Sequence, residues 1–265
     1  MLYGAMNFPV RPVLEEIEAF ACLGFDYLEL AMDPPQAHHS ILREQAKEIR
    51  QALQQAKMGL VCHLPSFVST ADLTQSLRKA SLQEMLDSLQ TAALLQPMKV
   101  VVHPSYLTGL AAYVPEQARE YAMQSLAAIA SKGQELGLML CLENMFPKSM
   151  SLVEPAEFEE VFQSLPALKL TLDTGHARLG ASDSSRILEF IARFPQRLEH
   201  IHASDNLGYG DHHLPVGAGV IDFPQIVRSL QSVGYDKTVT LEIFSQDRDY
   251  LAFSRDKLAA DLDYR

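Results

Sequence analysis

Three features are scarce in this chain of 265 residues, and each scarcity disfavours a class of protein. The cysteines Cys22, Cys62 and Cys141 lie far apart and outside any C-x-x-C pattern, so neither a disulfide framework nor a thiolate zinc site is indicated. Lysine and arginine number 22 against 33 aspartates and glutamates, so a net charge of −11 leaves no basic footprint for nucleic acid or an anionic membrane. No apolar run approaches the roughly 18 residues of a membrane span, and no basic segment precedes an apolar one at the N-terminus. We therefore expect a cytoplasmic protein with no membrane partner.

The apolar residues form short runs separated by longer amphipathic stretches. Since 48% of the residues are hydrophobic, we expect one sizeable core and one domain over residues 1–265. Eight short runs predict strands, at residues 2–7, 27–32, 59–63, 99–103, 138–144, 168–173, 198–204 and 238–244. Apolar residues recur at spacings of three and four, as in helices, over 40–57, 76–95, 115–136 and 185–194. Alternation of strand and helix predicts an α/β fold, a single (β/α)8 TIM barrel.

A doubly wound open sheet is the alternative α/β fold. It is disfavoured because no G-x-G-x-x-G follows the first strand, where a dinucleotide-binding sheet has its phosphate turn. Pro115 and Pro155 stand where helices are expected to begin, and Gly59, Gly137 and Gly234 follow helical stretches where C-terminal caps are expected.

Six consecutive predicted strands, the third to the eighth, each carry a potential metal ligand at or near their end. These residues are His63, His103, Glu143, Asp173, His202 and Glu242. The carboxyl ends of barrel strands converge on one mouth, so we expect the six side chains to meet there. Alternation along the seventh strand places His200 one layer below His202, as a core or supporting residue.

Three further candidates follow strands in loops, namely His176 in "DTGHA" and the Asp211–His213 pair. Imidazole and carboxylate without thiolate suit Zn, Mn, Co or Fe(II). Carboxylates crowded into a partly dry mouth repel one another unless cations or protons neutralise them, so the sequence predicts a bound divalent metal. The remaining histidines, His38, His39 and His212, are interpreted as ordinary structural or surface residues.

The motifs "LENM", "LDTGHA", "HIHASDN", "DHHLPVGAGVIDF" and "LEIF", in this order, resemble the xylose isomerase-like TIM barrel superfamily. That superfamily includes sugar isomerases, epimerases and nucleases of the endonuclease IV type. Similarity to the epimerase branch implies one divalent metal held by Glu143, Asp173, His202 and Glu242. It also implies that the two glutamates exchange a proton with substrate carbon and that His176 contacts a substrate oxygen, which makes these three residues catalytic.

Similarity to the endonuclease IV branch implies three zinc ions, with His63, His103, His176, Asp211 and His213 as additional ligands. The expected cofactor is therefore one to three divalent ions, Zn or Mn. Several motif positions depart from the nuclease pattern: Ser66 and Ser69 replace a tyrosine and an asparagine, Gly175 replaces a cysteine, and the motif after the seventh strand lacks its lysine. These departures and the negative net charge disfavour nucleic acid as the substrate and favour a small carbohydrate-like substrate.

The preferred function is a metal-dependent isomerase or epimerase that moves a proton next to a sugar carbonyl through an enediolate. The alternative is an endonuclease IV-like zinc phosphodiesterase with a two- or three-metal site. A non-catalytic sugar-binding or metal-binding barrel is disfavoured, since six aligned ligands exceed what binding needs. Asn7, Glu29, Asn144 and Phe146 are predicted to line the substrate pocket. The sequence leaves the oligomeric state open, a homo-oligomer included.

Overall fold

The computed structural model describes residues 1–107 and 109–263, and its strands close into a parallel barrel in chain order. The strands are β1 (Leu2–Met6), β2 (Tyr27–Ala31), β3 (Gly59–His63), β4 (Lys99–Val102), β5 (Leu140–Glu143), β6 (Lys169–Asp173), β7 (Leu198–Ala203) and β8 (Thr238–Leu241). Because β1 pairs with both β2 and β8, the sheet has no free edge. The predicted (β/α)8 barrel is confirmed, and the open-sheet alternative is wrong because such a sheet ends in two unpaired strands.

Nine α-helices connect the strands in the described part of the chain. They are α1 (Val13–Cys22), α2 (His39–Ala56), α3 (Gln75–Leu95), α4 (Pro115–Glu135), α5 (Pro155–Ser164), α6 (Thr174–Arg178), α7 (Ser185–Arg193), α8 (Phe223–Ser232) and α9 (Asp249–Asp263). The four predicted helical stretches are confirmed. Pro115 and Pro155 open their helices, and Gly137 and Gly234 adopt left-handed backbone with φ of 69° and 68° just beyond α4 and α8. None of the helices described here is long and apolar enough to cross a bilayer.

The predicted cap at Gly59 is wrong. Lys57 takes the left-handed conformation at the end of α2, with φ of 56°, and Gly59 is already the first residue of β3. A Cβ atom at position 59 would lie 2.9 Å from the Met98 side chain and 3.3 Å from Tyr27. The glycine is therefore explained by close packing within the barrel and not by a turn.

Side chains along each strand alternate between the apolar layer under the helices and the interior of the barrel. Leu28 and Leu30 belong to the main apolar core, which the helices cover, whereas Tyr27, Val61 and Val101 form a small separate cluster of their own. Much of the remaining barrel interior is polar, and the buried side chains there include Glu29, Lys99, Thr171, His200, Thr238 and Thr240. The interior thus offers hydrogen-bond partners below the barrel mouth, which an apolar interior would lack.

Four phenylalanines pack together between α5 and α7 on the outside of the barrel. Phe158 is fully buried, and its ring centroid lies 5.6 Å from that of Phe162 and 5.3 Å from that of Phe190. Phe194 completes the cluster 5.4 Å from Phe162. The contacts of Phe158 with Phe190 and of Phe162 with Phe194 are edge-to-face, a geometry that stabilises the cluster beyond the burial of apolar area.

We predict that Phe158→Ala destabilises the protein by about 3–5 kcal/mol, because it leaves a cavity among these rings. The melting temperature followed by circular dichroism should fall by on the order of 10 °C. Phe253→Ala on α9 is the matched control, since Phe253 is 56% exposed. It should change stability by no more than about 0.5 kcal/mol. Equal shifts for the two variants would contradict the role assigned to the cluster.

Candidate metal centre

Four buried side chains converge at the barrel mouth: Glu143, Asp173 and His202 from β5, β6 and β7, and Glu242, which directly follows β8. His202 Nδ1 lies 3.4 Å from Glu143 Oε2, 3.7 Å from Asp173 Oδ2 and 3.5 Å from Glu242 Oε2. All four atoms are buried, and none makes a hydrogen bond within the described part of the chain. Orphaned buried polar atoms are costly, and three carboxylates with one imidazole are a donor set suited to Zn or Mn. The residues therefore fit a divalent cation, and Glu143, Asp173, His202 and Glu242 form what we call the central group.

A second group, which we call the β3–β4 group, shares Glu143 with the first. Nε2 of His63 lies 3.4 Å from Glu143 Oε2, and Nε2 of His103 lies 3.1 Å from the same oxygen. The two imidazole rings are perpendicular, with centroids 4.7 Å apart. One carboxylate oxygen therefore faces both the central group and the β3–β4 group.

A third group, which we call the loop group after the loop that carries Asp211 and His213, also contains His176. The predicted loop position of His176 is wrong, because it lies on the short helix α6, which begins directly after β6. Nε2 of His176 lies 3.4 Å and Nε2 of His213 lies 3.1 Å from Asp211 Oδ2. His213 has a left-handed backbone, with φ of 47°, which is unusual for a non-glycine residue and is often associated with functional sites. The structure thus brings all nine predicted ligands together, in three groups linked side by side.

The histidines of these groups are oriented as metal ligands usually are. A ligand histidine normally donates its second ring N–H to a carbonyl or carboxylate. Such partners are found for four of the five: His63 Nδ1 with Leu64 O at 2.8 Å, His176 Nδ1 with Asn144 O at 3.0 Å, His213 Nδ1 with Glu242 O at 3.0 Å, and His202 Nε2 with Glu29 Oε1 at 2.9 Å. For His103, Nδ1 has no hydrogen-bond partner among the residues described. Each paired ring directs its other nitrogen toward the carboxylates.

The two glutamates of the central group differ in their electrostatic surroundings. Burial raises the pKa of Glu143, but the neighbouring His202 and His103 outweigh it and hold that pKa well below the usual value. Burial raises the pKa of Glu242 to about 8, because desolvation exceeds the stabilisation from His213 and His202. The imidazoles alone therefore do not compensate the carboxylates at this mouth, which again suits a cation.

Asp205 organises the loop that carries Asp211 and His213, and the sequence analysis missed it. Its fully buried carboxylate accepts four backbone hydrogen bonds of 2.9–3.1 Å, from the N–H groups of Asn206, Gly217, Gly219 and Ile221. Its backbone also pairs with Leu214 in both directions at 2.8 Å. The only signal in the sequence is an aspartate directly after a strand, followed by the glycine-rich "VGAGV".

The four predicted substrate-contacting residues occupy different positions. Phe146 lies beside the centre, with its ring centroid 5.0 Å from that of His176. Asn144 is buried and connects β5 to β6, since its amide exchanges hydrogen bonds of 2.8 and 3.0 Å with the Asp173 backbone. Asn7 is also buried and accepts a 2.6 Å bond from Ala31 N. Glu29 contacts His202 from below, and substrate contact by any of the four stays a prediction.

Two residues near the centre were not predicted. The ring of Tyr106 lies 6.4 Å from His103 and 6.3 Å from Phe146, between centroids. Asp33 is buried after β2, and its carboxylate accepts hydrogen bonds from Ser66 N. Both belong to loops that follow strands, where neither spacing nor alternation points to a role.

Two of the histidines interpreted as ordinary residues lie outside the centre and converge on helix α3. Nε2 of His38 lies 2.9 Å and Nε2 of His39 lies 3.4 Å from Glu84 Oε1. His212 follows Asp211, but its ring packs against Tyr209 at 4.9 Å between centroids. None of these contacts involves a residue of the three groups.

Comparison with known proteins places this geometry in a family. A sequence model of the family described as "Xylose isomerase-like TIM barrel" matches residues 17–263. The uncharacterized protein MJ1311 of Methanocaldococcus jannaschii is 26% identical over 249 residues, covering 91% of this chain and 83% of that protein.

Solved structures with the same fold are named as sugar epimerases. A D-tagatose 3-epimerase-like protein superposes with a TM-score of 0.88 and 25% identity, over 99% of this chain and 97% of that one. The D-psicose 3-epimerase of Clostridium cellulolyticum H10, solved with D-tagatose, superposes with a TM-score of 0.77 over 100% and 99% of the two chains. Its identity of 18% shows the common fold alone. Because the family match spans nearly the whole chain, this protein belongs to the xylose isomerase-like TIM barrel family.

Proposed function

We propose that the protein is a divalent-metal-dependent epimerase or isomerase of a carbohydrate-like hydroxy-carbonyl compound. The observation that carries the proposal is the central group, in which four buried donor atoms at or just beyond the ends of four strands meet without hydrogen-bond partners among the described residues. The likeness to a D-tagatose 3-epimerase-like protein, at 25% identity over 99% of this chain, supports a small sugar as substrate. We also propose that Zn or Mn is the metal and that the protein works in the cytoplasm.

The positions of Glu143 and Glu242 suit proton transfer on two faces of a substrate. β5 and β8 are three strands apart around the closed barrel, so their terminal carboxylates approach the mouth from different sides. One glutamate removes the proton next to the carbonyl, and the other returns a proton to the opposite face or to the adjacent carbon. A divalent ion bound to the central group supplies polarisation of the carbonyl and stabilises the negative charge that develops on oxygen. His176 would hold a substrate oxygen through Nε2, because its Nδ1 lies 3.0 Å from Asn144 O.

A second candidate function is a zinc phosphodiesterase of the endonuclease IV type. It is favoured by one specific observation: the β3–β4 group and the loop group add two further sets of imidazole and carboxylate donors to the central group. Phosphate-ester hydrolysis uses two or three metal ions to stabilise attacking and leaving oxygens. The number of ions bound per chain therefore separates the two functions.

The proposed function predicts that the protein binds a divalent metal at the central group. The natively purified protein should contain Zn or Mn, and Asp173→Asn should lose most of it, because the central group loses a negatively charged ligand. After chelation, Asp173→Asn should be at least as stable to heat as the wild type, because one of the crowded buried carboxylates is neutralised. Glu44→Gln, which changes an exposed carboxylate on α2, should alter neither quantity. A metal-free wild type that remains metal-free after dialysis against Zn and Mn would contradict the proposal.

Proton transfer can be measured directly by deuterium incorporation. With a panel of ketoses and aldoses in D2O, the wild type should exchange the proton next to the carbonyl of at least one sugar. Glu143→Gln and Glu242→Gln should each lower that exchange by about 10²–10⁴-fold, as expected when a catalytic base is removed. Glu44→Gln should exchange at the wild-type rate. Exchange that persists in both active-site variants would assign the proton transfer to other groups.

The phosphodiesterase alternative makes a different prediction for the loop group. If hydrolysis is the function, Asp211→Ala and His213→Ala should each lose one of two or three zinc ions, and both should abolish incision of a duplex with an abasic site. If epimerisation is the function, the single ion of the central group should persist in both variants. The measurements are elemental analysis of the purified proteins and gel-based incision. Incision by the wild type without sugar exchange would reverse the order of the two candidates.

A further inference from the structure

A continuous chain of buried hydrogen bonds runs inside the barrel below the central group. It begins at Lys99, the first residue of β4, whose Nζ lies 2.9 Å from Thr238 Oγ1. Thr238 Oγ1 lies 2.7 Å from His200 Nδ1, and His200 Nε2 lies 2.8 Å from Glu29 Oε2. Glu29 Oε1 lies 2.9 Å from His202 Nε2. Lys99 is 6% exposed and Glu29, His200 and His202 are fully buried, so water does not compete for these bonds.

Hydrogen-bonding capacity fixes the direction of the bonds that Lys99 and Glu29 make in this chain. An ammonium group only donates, so Thr238 accepts from Lys99 and keeps its own proton to donate. The nearest acceptor for that proton is His200 Nδ1 at 2.7 Å, closer than the carbonyl of Glu199 at 3.3 Å. A carboxylate only accepts, so His200 donates from Nε2 to Glu29.

Glu29 is the point on which all these donors converge. Oε2 accepts from His200 and from the hydroxyl of Thr240, which in turn is 2.8 Å from the hydroxyl of Tyr27. Oε1 accepts from His202, which must therefore carry its proton on Nε2. Nδ1 of His202 then faces Glu143, Asp173 and Glu242.

We propose that Glu29 is a positioning residue for the metal site. It accepts the Nε2–H of His202 and so holds the ring with Nδ1 presented to the cation, and Lys99 at the opposite end of the barrel interior supports it through Thr238 and His200. The inference rests on the metal-binding part of the proposed function. It assigns Glu29 to His202 in place of direct substrate contact, since both of its carboxylate oxygens are already occupied by protein donors.

The proton on Nε2 of His202 tests the proposal without any metal. In metal-free protein labelled with ¹⁵N-histidine, Nε2 of His202 should carry a proton, and the assignment is made from a His202→Asn variant. In Glu29→Gln this proton should exchange faster with solvent, because an amide cannot accept from His202, His200 and Thr240 together. A wild-type His202 whose Nε2 carries no proton would overturn the proposal, whatever the variants do.

Metal affinity tests the consequence of that orientation. Glu29→Gln should weaken Co²⁺ binding, measured by competition with a chelating dye, by about 10–100-fold, the usual effect of losing such a supporting partner. Lys99→Met should also weaken Co²⁺ binding, but by a smaller factor. It removes the hydrogen bond from Lys99 to Thr238 and leaves the bonds to Glu29 in place. Tyr27→Phe is the matched control: it removes a buried hydroxyl from the same layer and leaves all three donors to Glu29 in place.

These measurements separate positioning from packing. A purely structural role would lower the melting temperature of Glu29→Gln and Tyr27→Phe alike and leave Co²⁺ affinity unchanged in both. Unchanged affinity in Glu29→Gln, or an equal loss in Tyr27→Phe, would overturn the proposal. If the wild type binds no metal, the proposed function fails, while the proton on Nε2 of His202 still decides the role of Glu29.

Discussion

Burial of several carboxylates at one closed mouth is the constraint on which the site depends. Neighbouring strands of a barrel are held about 4.8 Å apart by their hydrogen bonds, so side chains on the same level cannot separate to relieve repulsion. Asp173 pairs in register with His202, which fixes these two ligands at one height. The protein places imidazoles and backbone donors around the carboxylates, yet burial still raises the pKa of Glu242 to about 8. A divalent cation would resolve this imbalance with the fewest additional groups.

The fold and the strand-end residues follow from local patterns. Alternation fixes which side chains of a strand face the barrel interior, and the barrel topology then brings six strand ends together, so His63, Glu143 and Asp173 were predictable as neighbours. The anchoring of the ligand loop by Asp205 was not predictable, because its four bonds join residues up to 16 positions apart in an aperiodic segment. Tyr106 was missed for the same reason. It lies in a loop, where no periodic pattern indicates which way a side chain points.

Glu29 shows where alternation alone misleads. It shares a face of β2 with Ala31, and the sequence does not say which of the two stands at the level of the mouth. The register decides: Ala31 pairs with His63, whereas Glu29 pairs with Val61, one layer deeper. A carboxylate at the level of Ala31 would join the ligands, but one layer deeper it meets the rings of His200 and His202 from below. Depth within the barrel, which depends on pairing between strands, therefore separates a ligand from its support.

The sharing of Glu143 explains how one set of residues suits two chemistries. Oε2 of Glu143 faces His202 of the central group and both histidines of the β3–β4 group. If cations occupied both groups, Glu143 would belong to both ligand sets, and its carboxylate would be less available as a base. If a cation occupied the central group alone, Glu143 would keep more of its basicity for proton transfer. The number of ions bound is therefore the property expected to separate the two proposed functions.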